Sequence, residues 1–140
     1  MELTQESLVR FLREVDKDFH PPLSEKTDLK EYVAKILEKA MLFYELSDSG
    51  DIKGLVIMYA NDFEKKYAYI PLVAVSPLYR QQGVVYKLLG ESLQYLNTLK
   101  GEIQVLGIHT NNPVALVLYQ KMGFKSVETV NGRTYLELKL

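Results

Sequence analysis

The chain has 140 residues, 47% of them hydrophobic, enough for one sizeable core, so a single domain over residues 1–140 is the expectation. Its 17 basic and 18 acidic residues are interspersed and leave a formal charge of -1, which argues against a nucleic-acid footprint or a membrane-attracting basic face and points to a small partner. Without cysteine there is no disulfide, thiolate metal site or cysteine nucleophile; no metal is expected, and a reducing compartment fits.

The opening residues, MELTQESLVR, are acidic and polar rather than a basic stretch leading into an apolar run. No window approaches the roughly 18 apolar residues of a membrane span, so a cytoplasmic protein without membrane contact is expected. From Thr4 to Phe19, Leu8, Leu12, Val15 and Phe19 recur at helical spacing, and the prolines of HPPLSEK break the helix. A second helix is predicted from Asp28, with Leu29, Val33, Ile36 and Leu37 on one face and an Asp28-x-x-Glu31 spacing like a capping box. MLFYELSDSGDIKGLVIMYAND then reads as two strands around a turn, and KYAYIPLVAV as a third, apolar enough to be buried on both faces. Helix returns at Val84, with Val85, Leu88, Leu89, Leu93 and Leu96 on one side; GEIQVLGIHT is a strand and NPVALVLYQKM a short helix. KSVETVNGRTYLELKL closes the chain as a hairpin turning at Asn131-Gly132, with an edge on which a homodimer could form. This order predicts an α/β fold with a mixed, mostly antiparallel sheet flanked by helices, and one parallel crossover from Tyr67 to Thr110.

Three features carry chemistry. LYRQQGVV joins a strand to a helix, whose first turn offers unpaired N–H groups and a partial positive charge. Gly83 either lets an anion approach that backbone, with Arg80, Gln81 and Gln82 beside it, or only permits a tight turn; both readings are open. Pro71 falls inside a strand, where it removes a ladder hydrogen bond. A bulge there would splay the strand from its neighbour and leave backbone groups of Val73 and Val75 for an extended, amide-bearing ligand. In NNPVALVLYQKMGF, Asn112 is a good N-cap, Pro113 suits the first helical position and Gly123 the left-handed stop; Tyr119 lies two turns on from Asn112, on nearly the same face.

Together these motifs resemble the GNAT superfamily of acetyl-CoA-dependent N-acetyltransferases, through Arg80 and Gly83 in LVAVSPLYRQQGVV and through Asn112, Ala115, Tyr119, Gly123 and Phe124 in NNPVALVLYQKMGF. The resemblance implies a GNAT-like fold and acetyl-CoA as cosubstrate. Val73, Ala74 and Val75 would hold the pantetheine arm, amides of Arg80, Gln81, Gln82, Gly83, Val84 and Val85 the pyrophosphate, and Asn112 the cofactor arm. Tyr119 would lie near the thioester sulfur as general acid. Three departures stand out: Val85 replaces a second small residue, Gly107 replaces a glutamate base carried by several members, and only Met1 to Leu3 precede the first helix, so the family's first strand is short or absent.

The reaction implied needs a proton acceptor, because an alkylammonium with a pKa near 10.4 costs about 4.6 kcal/mol to deprotonate at pH 7. His109, two residues beyond Gly107 on the same strand face, is the first candidate, acting directly or through water; it also reads as a strand-end residue without chemistry. His20 in the first inter-helix loop, Asp62 and Glu64 are further candidates, the last two most simply solvated turn charges. Tyr59, Tyr67 and Tyr69 suggest a surface that stacks on and hydrogen-bonds an acceptor, while tyrosine is also simply a good strand former. The N-terminal half resembles small bacterial GNAT proteins, which puts an amino sugar first among small amine or peptide acceptors. The missing glutamate leaves a second possibility, a CoA-binding regulatory or interaction protein without turnover.

Overall fold

The computed structural model describes residues 3–19 and 21–140. In chain order the elements are α1 (Gln5–Val15), α2 (Leu23–Lys26), α3 (Leu29–Lys39), β1 (Met41–Leu46), β2 (Ile52–Asp62), β3 (Tyr67–Val75), α4 (Val84–Thr98), β4 (Val105–Thr110), α5 (Pro113–Lys121), β5 (Lys125–Val130) and β6 (Arg133–Lys139). The six strands form one mixed sheet in the order β1-β2-β3-β4-β6-β5. β3 runs parallel to β4, and β6 is antiparallel to both β4 and β5. Among the described residues no strand precedes α1, and no helix is long and apolar enough to cross a membrane. Tertiary contacts cluster into two compact units, Met1–Ile57 with Leu72–Glu91 and Met58–Pro71 with Ser92–Leu140.

The first unit is built on α1, α3, β2 and the end of β3. Thr4 starts α1 with a reciprocal cap: its hydroxyl accepts the Ser7 N–H at 3.0 Å, and the Ser7 hydroxyl oxygen accepts the Thr4 N–H at 2.9 Å. Such a cap contributes about 1 kcal/mol. Leu8, Leu12 and Val15 of α1 pack with Val33 and Ile36 of α3 and with Ile52, Leu55 and Ile57 of β2. The helix ends at Val15 and tightens into a 3-10 turn over Asp16–Asp18, short of the predicted Phe19. HPPLSEK does not stay a loop after the prolines: it winds the single turn α2, because the Asp16 carboxylate accepts both the N–H of Ser24 at 2.8 Å and its hydroxyl at 2.5 Å. These two bonds hold the Asp16 carboxyl below its usual pKa, the hydroxyl bond contributing most. Asp28 caps α3 with its own half of the predicted capping box, accepting from the amides of Lys30 and Glu31.

β3 corrects the expectation of a strand buried on both faces. Ala68, Ile70, Leu72 and Ala74 are buried, while Tyr67, Tyr69, Pro71, Val73 and Val75 are only half-buried. Tyrosine counts as apolar in a run of letters, but its hydroxyl needs a partner or water, which keeps that face open. The strand whose core run is buried on both faces is β2, where Leu55, Val56, Ile57 and Met58 are all 0% exposed.

In the second unit Leu106 and Ile108 of β4 and Leu136 of β6 are buried, as are Tyr119 and Phe124. β4 begins at Val105 rather than at Gly101, because Lys100 and Gly101 both turn left-handed, with φ of 51° and 86°. The predicted hairpin forms at Asn131 and Gly132, with φ of 52° and 78°, the two positive values a two-residue turn requires. β5 is exposed along its whole length and carries an irregular register between Ser126 and Glu128.

Candidate active site

The first unit holds the strand end and the turn singled out in the sequence. Ala74 points into the core and Val73 and Val75 lie on the half-open face. After β3, Ser76 is buried; its N–H donates to the Lys53 carbonyl at 2.9 Å and its hydroxyl to the Glu14 carboxylate at 2.7 Å. Arg80, Gln81, Gln82 and Gly83 are exposed, Val84 is buried and Val85 half-buried. The first turn of α4 closes with Lys87 N–H on the Gly83 carbonyl at 3.0 Å, so the amides before it are those a helix leaves without intrahelical partners. Gly83 has φ +76°, and nothing stands within 4 Å of where a Cβ would be. The glycine therefore meets a backbone requirement and also leaves open space above that backbone. Gln81 shares the left-handed conformation at φ 62°, which the sequence did not announce. Arg80 is not a free cation: its guanidinium is ion-paired with Asp18 and donates to the Val75 carbonyl at 3.4 Å.

The second unit gathers the aromatic residues. Tyr69 and His109 share a 2.6 Å hydrogen bond between the phenol and Nδ1. Burial, and then the nearby Arg133, lower the His109 pKa, against an opposing pull from Glu128, so the ring is neutral at pH 7. Burial chiefly raises the pKa of Tyr69 and of Tyr59. Tyr67 and Tyr135 share a 2.6 Å hydroxyl bond, and the Tyr135 hydroxyl donates to Glu137 Oε2 at 3.0 Å. Gly107, directly opposite Glu137 in the β4–β6 register, lies beneath the two hydroxyls: a Cβ there would stand 2.5 Å from that of Tyr135 and closer still to that of Tyr67. The His109 ring lies 4.7 Å from that of Tyr135.

Asn112 caps α5, its Oδ1 accepting from Val114 N–H at 2.8 Å and Ala115 N–H at 3.3 Å. Its carbonyl is committed to the helix, and only the side-chain N–H groups remain for a ligand. Tyr119 is 3% exposed, with its ring 5.9 Å from that of Phe124, and burial raises its pKa, so it holds its proton. Asp62 accepts from the Lys65 amide at 3.1 Å and Glu64 is exposed, the turn roles that the sequence allowed them. His20 lies outside the described residues. Among the described residues no cluster of three or more His, Asp and Glu side chains is placed to hold a metal.

Sequence reasoning missed Asp18, Tyr135 and Glu137. Asp18 lies 62 residues from Arg80 and Tyr135 lies 68 from Tyr67, so no local spacing announces either pair. The one available signal was Gly107, a strand glycine without a turn to explain it.

The chain is similar to known proteins along most of its length. The profile of the acetyltransferase (GNAT) family matches residues 8–124. A GCN5-related N-acetyltransferase 6, chloroplastic, from Arabidopsis thaliana is 38% identical over 64 residues, which is 46% of this chain and 22% of that protein. The chain thus spans less than a quarter of that relative. The PaiA N-acetyltransferase from Thermoplasma acidophilum, solved in complex with coenzyme A, superposes with a TM-score of 0.78 at 19% identity over 97% of this chain and 92% of its own. The ribosomal-protein-S18-alanine N-acetyltransferase from Escherichia coli gives 0.75 at 19% identity, covering 99% and 90%. At these identities the likeness to both structures is one of fold. With the strand-to-α4 turn, the asparagine-capped α5 and the mixed sheet all in place, the family match leads to one conclusion: the chain belongs to the acetyltransferase (GNAT) family.

Proposed function

We propose that residues 1–140 form one N-acetyltransferase domain that moves an acetyl group from acetyl-CoA to a primary amine by direct attack in a ternary complex. The observation that carries this reading is the start of α4, where Gly83 has open space above a left-handed backbone and Arg80, Gln81 and Gln82 stand exposed beside the helix amides. That is a setting for a diphosphate, since it combines main-chain donors, a helix dipole and a cation. The family match and the coenzyme A bound by the Thermoplasma relative support the same cosubstrate. Backbone groups of Val73, Ala74 and Val75 would meet the pantetheine arm, Val84 and Val85 would complete the phosphate turn, and Asn112 would donate to the arm through its side-chain N–H groups.

Acetyl-CoA supplies an activated thioester carbonyl; the amine nitrogen bonds to that carbon as the C–S bond breaks. Tyr119, kept protonated by burial, would hydrogen-bond the departing sulfur and give up its proton only where the two are closely positioned, since a thiol is the stronger acid. His109 takes the amine proton when Nδ1 carries the hydrogen that bonds Tyr69, because Nε2 is then bare. Tyr59 and Tyr69 would border the acceptor, for which an amino sugar is the first choice and a peptide N-terminus the next. The absence of cysteine fits a cytoplasmic location, and the exposed β5 edge is the surface on which a second copy would add.

A second reading, a CoA-binding protein without turnover, is favoured by Gly107, which contributes no carboxylate to the site. Release of free thiol from acetyl-CoA, measured with amino sugars, polyamines and peptides, tests both. Amine-dependent release supports the enzyme. Thermal stabilisation by acetyl-CoA without release leaves the binding protein, and no stabilisation removes both.

A further inference from the structure

The reading above requires that an ammonium lose a proton, and the polar face of the second unit carries a chain of groups able to take it. Glu137 ends that chain: as a carboxylate it can only accept, so the single hydroxyl proton of Tyr135 is directed to its Oε2 at 3.0 Å. With that proton committed, the 2.6 Å bond between Tyr135 and Tyr67 has one consistent direction, Tyr67 donating. The Tyr67 oxygen keeps its remaining lone pairs, and it lies over Gly107, where the missing side chain leaves room for it. Three groups from β3 and β6 thus form a one-way line of hydrogen bonds. All three side chains are half-buried rather than sealed.

His109 stands beside this line but serves it only in one tautomer. When Tyr69 donates to Nδ1, Nε2 carries the imidazole hydrogen and the ring has no bare nitrogen. In that state the line ending at Glu137 is the acceptor that this face offers.

We propose that Tyr67, Tyr135 and Glu137 form a proton relay that deprotonates the incoming amine. The inference rests on the acetyltransferase reading. An N–H bond of the ammonium breaks and its proton passes to the Tyr67 oxygen; the Tyr67 proton passes to Tyr135, and the Tyr135 proton to Glu137. Each phenol ends neutral, Glu137 ends protonated, and the amine keeps the electron pair with which it attacks the thioester carbonyl. Glu137, half-exposed, then returns the proton to water. Tyr67 alone touches the substrate, while Tyr135 and Glu137 act through it. The charged and titratable groups around Glu137 are Tyr135, Arg133 and Lys139 on β6, His109 on β4 flanking the opposite Gly107, Lys125 opposite on β5 with Glu128 opposite Tyr135, and Tyr67 and Tyr69 on β3.

The test uses the full chain with acetyl-CoA and an amine that the wild type acetylates. Glu137→Gln, nearly isosteric and still an acceptor, should lower kcat roughly 100-fold at neutral pH, with the dissociation constant for acetyl-CoA unchanged by calorimetry. The deficit should narrow as pH rises toward the pKa of the amine, since less proton remains to be removed. Tyr67→Phe should cause a similar loss, and the double variant should be no slower than either single one. Without any cosubstrate, the NMR signal of the labelled Tyr67 Cζ should move as the Glu137 carboxyl titrates, and should lose that step in Glu137→Gln. A deficit independent of pH, multiplying losses in the double variant, or a Tyr67 signal indifferent to Glu137 would each overturn the relay while leaving the acetyltransferase standing. A wild type that binds acetyl-CoA and acetylates no amine overturns the acetyltransferase reading, and the relay with it.

Discussion

A side chain at Gly107 would collide with Tyr67, whose hydroxyl occupies the space above the strand where a Cβ would project. That Cβ would also stand 2.8 Å from Tyr67 Cζ and 2.5 Å from the Tyr135 hydroxyl, below the separation that real side chains tolerate. Because the two phenols are bonded to each other, neither can swing aside alone. Gly107→Ala is expected to destabilise the protein by about 1–3 kcal/mol through overpacking. Urea denaturation measures this, and an unchanged midpoint would mean that the tyrosine pair is free to move.

Asn112 separates a structural role from a binding one. Its Oδ1 accepts two amides at the start of α5, and loss of such a cap costs about 0.5–2 kcal/mol, so Asn112→Ala should lower stability by that amount. Asn112→Asp keeps an acceptor at the cap but replaces the N–H donors left for a ligand. Its thermal midpoint should match the wild type while acetyl-CoA binds at least several-fold more weakly. Equal binding would confine Asn112 to capping.

Asp18 competes with any anion for Arg80. Both side chains are nearly half-exposed, at 47% and 46%. An exposed pair of this kind is worth about 0.2–1 kcal/mol, so releasing the guanidinium should tighten coenzyme A binding by at most about fivefold. Asp18→Asn is expected to do so, and Arg80→Gln to weaken binding, both read by calorimetry at low ionic strength. Identical affinities in all three proteins would place the diphosphate elsewhere.

Tyr119 packs on Phe124 through its ring, which Tyr119→Phe preserves. Turnover should fall at least tenfold, with KM for acetyl-CoA within about twofold, since the lost proton acts only as the thiolate departs. Unchanged turnover would remove the acid role.

His109 makes stability depend on pH with a definite sign. Its folded pKa lies below the unfolded value of about 6.5, so above that pH both states are neutral and it contributes nothing. As pH falls below about 6.5 the unfolded chain takes up the proton first, and stability declines until the folded ring protonates as well. The slope of denaturation midpoint against pH over this window should be shallower in His109→Gln. Parallel slopes would show that the folded ring titrates as it does in the unfolded chain.

The turn chemistry was legible before the fold. Asp28, Asn112, Gly83 and the Asn131-Gly132 pair stand where the sequence put them, because caps and left-handed turns depend on the chemistry of one or two neighbouring residues. KYAYIPLVAV was read less well, since a run of apolar letters does not say that its tyrosines will keep one face half-open. The α2 turn was hidden for another reason: it depends on Asp16 reaching Ser24 across the two prolines.

By itself the sequence determined the family, the order of the longer helices and the strands, and the local geometry at Asp28, Asn112, Gly123 and the Asn131-Gly132 turn, all of which follow from residue types at short spacings. Only the tertiary structure decided that Arg80 is paired with Asp18 and that two tyrosines and Glu137 fill the space over Gly107. These are partnerships between strands or helices brought together by hydrophobic packing, and a hydrogen bond forms between whichever polar groups that packing leaves within reach.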